Sequence, residues 1–140
     1  MVVTVTPRGV RNRNPGNIRK SADDWLGLSD NQDDPSFFVF TEPVYGLRAI
    51  AKIVLKYQRK CGLDTVRKII DRWAPPTEND TASYAEAVAH DIGISPDEHV
   101  DFVANRNRLV SLVAAIVRHE NGQNPYQGTM IKRAVDMALA

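Results

Sequence analysis

The sequence predicts a mainly helical, single-domain protein with one irregular, slightly β corner near its N-terminus. Two observations carry this reading. From Pro43 onward, apolar residues recur at helical spacing in segments closed by Gly, Pro or Asn-Gly. Residues 11–36 are instead dense in Asn, Asp, Gly, Pro and Ser, too punctuated for a long helix. Size and composition agree, because 140 residues with 43% hydrophobic and 25% charged content suit one globular domain with a real core. No repeat, low-complexity tract or linker divides residues 1–140.

Taken in order, residues 1–10 read as an extended lead-in. Asn14-Pro15-Gly16-Asn17 is a turn signal, with Gly16 suited to positive φ. Trp25, Leu26 and Leu28 can anchor the loop, and Phe37-Phe38-Val39-Phe40 is the best strand candidate, so a short irregular β element is expected at 17–20 and 36–40. A helix follows Pro43, with Leu47, Ile50, Ile53, Val54 and Tyr57 inward and Gly62 ending it. The next covers 64–73 with Asp64 as N-cap and Val66, Ile69, Ile70 and Trp73 inward, and Ala74-Pro75-Pro76 stops it. Asn79-Asp80-Thr81 caps a helix to about residue 91, with Tyr84, Ala87 and Val88 inward. Ser95-Pro96-Asp97-Glu98 opens a short helix to Val103. Helices over 106–120 and 127–139 complete a set of about six, the last with Ile131, Val135, Met137 and Leu139.

The net charge of +1 gives no overall pull toward nucleic acid or an anionic membrane. Locally the charge is divided. Residues 1–20 carry Arg8, Arg11, Arg13, Arg19 and Lys20 with no acid, whereas 21–42 carry Asp23, Asp24, Asp30, Asp33, Asp34 and Glu42 with no base. Such a segment is either a solvated loop whose halves attract or a polar cleft wall. The one cysteine, Cys61, has no evident base beside it and reads as a partly buried structural thiol. His90, His99 and His119 have no ligand spacing with one another, so no metal or other cofactor is expected. No apolar run has the length of a membrane span, and MVVTVTPRG lacks the basic start and apolar stretch of a signal peptide.

One residue breaks the pattern. With Leu109 at zero on the 106–120 helix, Leu112, Val113, Ile116 and Val117 fall within about 80° and Glu120 at about 20°, inside the apolar stripe. Either the core runs out there and the carboxyl is solvated, or the position is functional. A Glu at a helix C-terminus opposes the dipole by about 0.3–1 kcal/mol. An apolar wall and the negative helix end both favour a protonated carboxyl, which can donate to a leaving oxygen.

The stretch Ala115 to Tyr126, AIVRHENGQNPY, resembles the catalytic helix of soluble lytic transglycosylases and goose-type lysozymes. In those proteins an apolar helix ends on the catalytic Glu and a short loop, often with Asn-Pro, follows. Glu120 takes the Glu position, and Asn121 stands where Ser is usual. The segments Arg8–Asn12, Asn14–Arg19, Trp25, Gly27, Phe40, Gly46–Ala49, Trp73–Pro76 and His119–Gly122 resemble a family of small phage and prophage virion proteins. The segment Asn14–Tyr57 is also similar to the part of bacterial glucosaminidase domains that follows their catalytic helix. A lysozyme-like domain has its Glu-bearing helix first and its cleft second. Here the order is reversed and no acid precedes Asp23, so the resemblance implies a circularly permuted lysozyme-like fold.

The resemblance further implies cleavage of peptidoglycan glycan strands, as muramidase or lytic transglycosylase, with Glu120 as general acid. The protein would be a phage-particle component or a lytic protein, made in the host cytoplasm and carried by other means to the periplasm and cell wall. Its partners would be glycan strands and other virion proteins. The rival readings are a virion structural or adaptor module without activity, and a module that grips peptidoglycan without cutting. Asp33, Asp34 and Glu42 are the loop acids available as a second carboxylate, and Glu42 equally suits the entry to a helix. Asn14, Asn17 and Arg19 either bind N-acetyl groups and the lactyl carboxylate or serve as turn and surface residues. Tyr45, Tyr57 and Tyr126 can line the cleft or the core rim. Arg48 can neutralise an acid in the cleft or lie at the surface. Trp73 is expected to pack the end of its helix.

Overall fold

In a computed structural model of the chain, which describes residues 5–77 and 79–140, the periodic segments after Pro43 become helices around one continuous apolar core. The elements are α1 (Arg8–Arg11), α2 (Pro43–Cys61), α3 (Val66–Trp73), α4 (Thr81–Ile92), α5 (Arg106–Asn121) and α6 (Gly128–Leu139). The protein is therefore mainly helical, as its sequence pattern requires. α2 lies along α6, and α5 packs against α1, α2, α4 and α6, so the helix that ends on Glu120 is held on several sides. Leu109, Leu112, Val113, Ile116 and Val117 are buried on its inner face. Each fully buried Leu or Ile contributes about 1.5–3 kcal/mol of transfer free energy.

Several boundaries differ from the sequence reading. The first described residues are not all extended: Arg8–Arg11 forms one helical turn, and residues 1–4 of the expected lead-in lie outside the described residues. The N-cap of α3 is Thr65, whose hydroxyl accepts from the Lys68 amide, while Asp64 turns to His99 and Lys68. Ala87 is exposed and Ala85 takes the inward place on α4. No helix follows Ser95-Pro96. There the chain turns because tertiary partners take its backbone groups: the Val100 amide donates to Asp64 O, and Gln58 donates to Val100 O and accepts from the Phe102 amide. Cys61 ends α2 exposed, not partly buried.

The corner before α2 forms no regular strand among the described residues. Its β content is two isolated antiparallel bridges, Arg19 with Phe37 and Leu28 with Phe40, the first of which joins the two segments where an irregular β element is expected. Side chains do the rest. Buried Asn14 donates to Ile18 O and Phe38 O and accepts from the Ile18 amide, and Gln32 pairs with both backbone groups of Val39. A small apolar cluster of Phe38, Phe40 and Ala49 seats the corner on α2. Positive φ falls on Arg13 and Asn17, not on Gly16. Gly16 is needed for close approach, since a Cβ there would lie 2.7 Å from Ile50 and 3.1 Å from Trp73.

Asp34 ties the corner to α1. Its carboxylate accepts from Arg8 Nε at 2.6 Å, Asn12 Nδ2 at 2.8 Å and the Ser36 and Phe37 amides at 2.9 and 3.0 Å. The Arg8 hydrogen bond, opposed by burial and aided by the other donors, holds this carboxyl well below the usual carboxylate range. A depressed folded value stabilises the fold above the unfolded value and is lost as pH falls toward the folded one. The expected result is a wild-type melting temperature that falls from about pH 5 downward more steeply than that of Asp34→Asn. Equal slopes in thermal melts across that range would show that Asp34 does not couple the corner to pH.

Candidate active site

α5 carries Glu120 to its last turn, where Gly122 in left-handed conformation ends the helix. The carboxyl is half-buried and faces three elements. Oε2 accepts from Tyr84 Oη at 2.8 Å and from Trp73 Nε1 at 3.5 Å, and Oε1 accepts from Asn17 Nδ2 at 3.2 Å. The Tyr84 bond is the strong one, and the Trp73 contact is at the limit of hydrogen-bond reach. Burial above all, then the charge and hydrogen bond of Glu120, pushes the Tyr84 phenol up, so it stays protonated and donates. Its ring stacks on His119 at 3.6 Å between centroids, which fixes the phenol from the far side.

Asn17 comes from the turn that the sequence announces. Its own left-handed backbone aims the side chain at the end of α5, 103 residues away in sequence. Asn121 completes the junction by donating to Pro15 O at 2.8 Å and Val117 O at 2.9 Å. The amide oxygens of Asn17 and Asn121 are buried without a hydrogen-bond partner. Both converge with Asn14 O on Gly9 of α1: a Cβ at Gly9 would lie 2.6 Å from Asn121 Oδ1 and 2.8 Å from each of the others. The space that an Ala methyl would fill is filled by three oxygens, which face the Gly9 Cα–H.

Glu120 opens into a cleft of about 510 Å³ between the corner and the helices. Asn17, Arg19 and Phe37 form one wall, Ile53 and Tyr57 of α2 lie along it, and Trp73, Pro75 and Asn79 form the other. Arg19 lies 5.4 Å above the Phe37 ring, with Arg8 also over that ring at 4.6 Å. Among the described residues, Glu120 is the single acid in the lining and Arg19 the single cation.

The other sequence candidates fall elsewhere. Asp34 is committed to Arg8 and the corner, Asp33 is exposed beside it in a separate hollow, and Glu42 is the exposed N-cap of α2 without a side-chain cap bond. None of the three lines the cleft as a second carboxylate. Asn14 is fully buried as the lock of its turn and cannot reach a ligand. Tyr45 packs against Gly27, Arg48 faces a different hollow, and Tyr126 packs on the core with its hydroxyl buried. Asn17, Arg19 and Tyr57 do line the cleft with Glu120. Trp73, read as helix packing, and Tyr84, read as core, are the site residues that the sequence reading missed. Tyr84 and Trp73 reach Glu120 across 36 and 47 residues, separations for which local spacing gives no signal.

The chain is 39% identical over 132 residues to Protein P5 of Pseudoalteromonas phage PM2, covering 92% of this chain and 80% of that protein. It belongs to the P5 family. No family model matches the chain. The P5 family is thus represented in a bacteriophage, in line with the phage resemblance in the sequence. Among the described residues of this P5-family member, no helix is long and apolar enough to cross a membrane.

Proposed function

We propose that this protein cleaves the glycan strands of peptidoglycan through a single protein carboxyl, Glu120, as a phage-particle component or lytic protein. The observation that carries the reading is a carboxyl, the single acid in the lining among the described residues, fixed by donors from three elements at the wall of a sugar-sized cleft. Two-carboxylate glycosidases place their acids about 5–9.5 Å apart across the bond. Asp33, Asp34 and Glu42 lie outside this cleft, which supports a reading in which the substrate itself takes the second role.

In its protonated form Glu120 gives its proton to the glycosidic oxygen as that bond breaks, and the sugar's own acetamido oxygen stabilises the developing cation. The resulting carboxylate then takes the proton of the C6 hydroxyl as its oxygen closes on the anomeric carbon. No water is consumed, and the product carries a 1,6-anhydro end. Tyr84 and Asn17 hold the carboxyl in one rotamer while its charge changes. Arg19 lies in the same cleft lining, over the Phe37 ring, where a bound strand would pass it.

Mass spectrometry of digested peptidoglycan tests this reading. Anhydromuramic ends are expected. Reducing ends would replace the substrate-assisted route by hydrolysis, and no release of fragments would overturn cleavage altogether. One observation favours a rival. Because Glu120 joins the corner, α3 and α4, it also suits a structural tie in a virion module without activity.

A further inference from the structure

A second hollow, of about 590 Å³, lies away from the cleft and is lined by Asp24, Trp25, Leu26, Leu28, Arg48 and Lys52. At about 100° per residue, Arg48 and Lys52 sit about 140° around α2 from Ile53 and Tyr57, which line the cleft. The two hollows therefore flank one helix, whose diameter with side chains is about 10–12 Å.

Three features of this hollow are unbalanced. Arg48 and Lys52 are one turn apart and half-buried, and neither has an ion pair or hydrogen bond among the described residues. Like charges so placed repel and gain from an anion. The Trp25 indole N–H is buried without an acceptor. Leu26 beside it is 53% exposed. Two cations and a spare N–H donor beside an apolar rim, against the one exposed acid Asp24, suit a ligand with carboxylates on a short aliphatic backbone.

We infer that this hollow binds the acidic stem peptide of peptidoglycan, with Arg48 and Lys52 on its carboxylates and Trp25 and Leu26 on its alkyl parts. The inference rests on the reading of peptidoglycan as substrate, and it deepens that reading. Stem peptides leave the glycan at every second sugar, so a strand in the cleft carries them past the flank of α2. The site would favour peptide-bearing strands over bare glycan.

The test is a nuclear magnetic resonance titration of the whole protein with the tripeptide L-Ala-γ-D-Glu-meso-diaminopimelate, read at the Trp25 indole N–H. A saturable shift is expected, present also in Glu120→Gln and weakened about tenfold or more in the Arg48→Gln, Lys52→Gln double variant. The Trp73 indole resonance reports that each variant stays folded. No shift at Trp25, or equal binding by the double variant, overturns the proposal. So does a response to phosphatidylglycerol vesicles with none to the tripeptide, which would make this face a lipid contact. A Trp25 shift without any cleavage product supports the hollow, overturns the enzyme reading and leaves a wall-binding module.

Discussion

Glu120→Gln is expected to lower peptidoglycan clearing by about 10²–10⁴-fold, the usual contribution of a positioned general acid. The fold should survive the change. Gln has the same shape, and its amide oxygen can keep the Tyr84 and Trp73 donors. Its NH₂ then meets Asn17 Nδ2, a donor against a donor, but a flip of the Asn17 amide turns its unpartnered oxygen toward the new group. The same flip brings the Asn17 NH₂ toward the unpartnered Asn121 oxygen. Stability should therefore change by less than about 1 kcal/mol. Zymography with thermal melts on the same samples separates the two readings. Lost clearing with an unchanged melting temperature supports catalysis. A large drop in melting temperature marks Glu120 as a tie, and full clearing by the variant removes it as the acid.

Gly9→Ala is expected to cost about 1–3 kcal/mol and to lower activity as well, though Gly9 does not line the cleft. Its methyl would overlap Asn14 O, which is backbone, and the Asn17 and Asn121 amide oxygens. The side chains have to yield, which moves Asn17 off Glu120 and loosens the end of α5 from Pro15. Gly122→Ala is the useful contrast. It has φ of 72° but open space around its Cβ, so it should cost about 1 kcal/mol of backbone strain and leave clearing largely intact. Comparable loss of clearing by both variants, at comparable stability, would show that the Gly9 contact has no special hold on the site.

Much of this was readable in the sequence where the physics is local. Glu120 stood out because a wheel on α5 depends only on periodicity, and the cap at Gly122 likewise. The Asn14–Asn17 turn was readable, but the division of labour within it was not. Asn14 and Asn17 are the same residue type three positions apart, yet one is buried against Phe38 O and the other is turned outward to α5. Asp34 carried an available signal: Asp-Pro-Ser is a sequence that bonds its own following amides, as Asp34 does with Ser36 and Phe37. The Ser95-Pro96 start was over-read because good local helix signals lost to Gln58 and Asp64, which draw off the backbone groups of Val100 and Phe102. Tyr84 and Trp73 could be identified only once α3, α4 and α5 had been brought together.

The bond between Asn17 and Glu120 also sets a clock on synthesis. The residues it joins are 103 positions apart, and a ribosome adding about 5–20 residues per second needs about 5–20 s to pass from one to the other. During that interval the corner and α2 are made without their carboxyl, and the loop to be closed is among the longest the chain offers. The centre proposed to cut wall is thus among the last parts to assemble, and any chain cut short before α5 lacks Glu120.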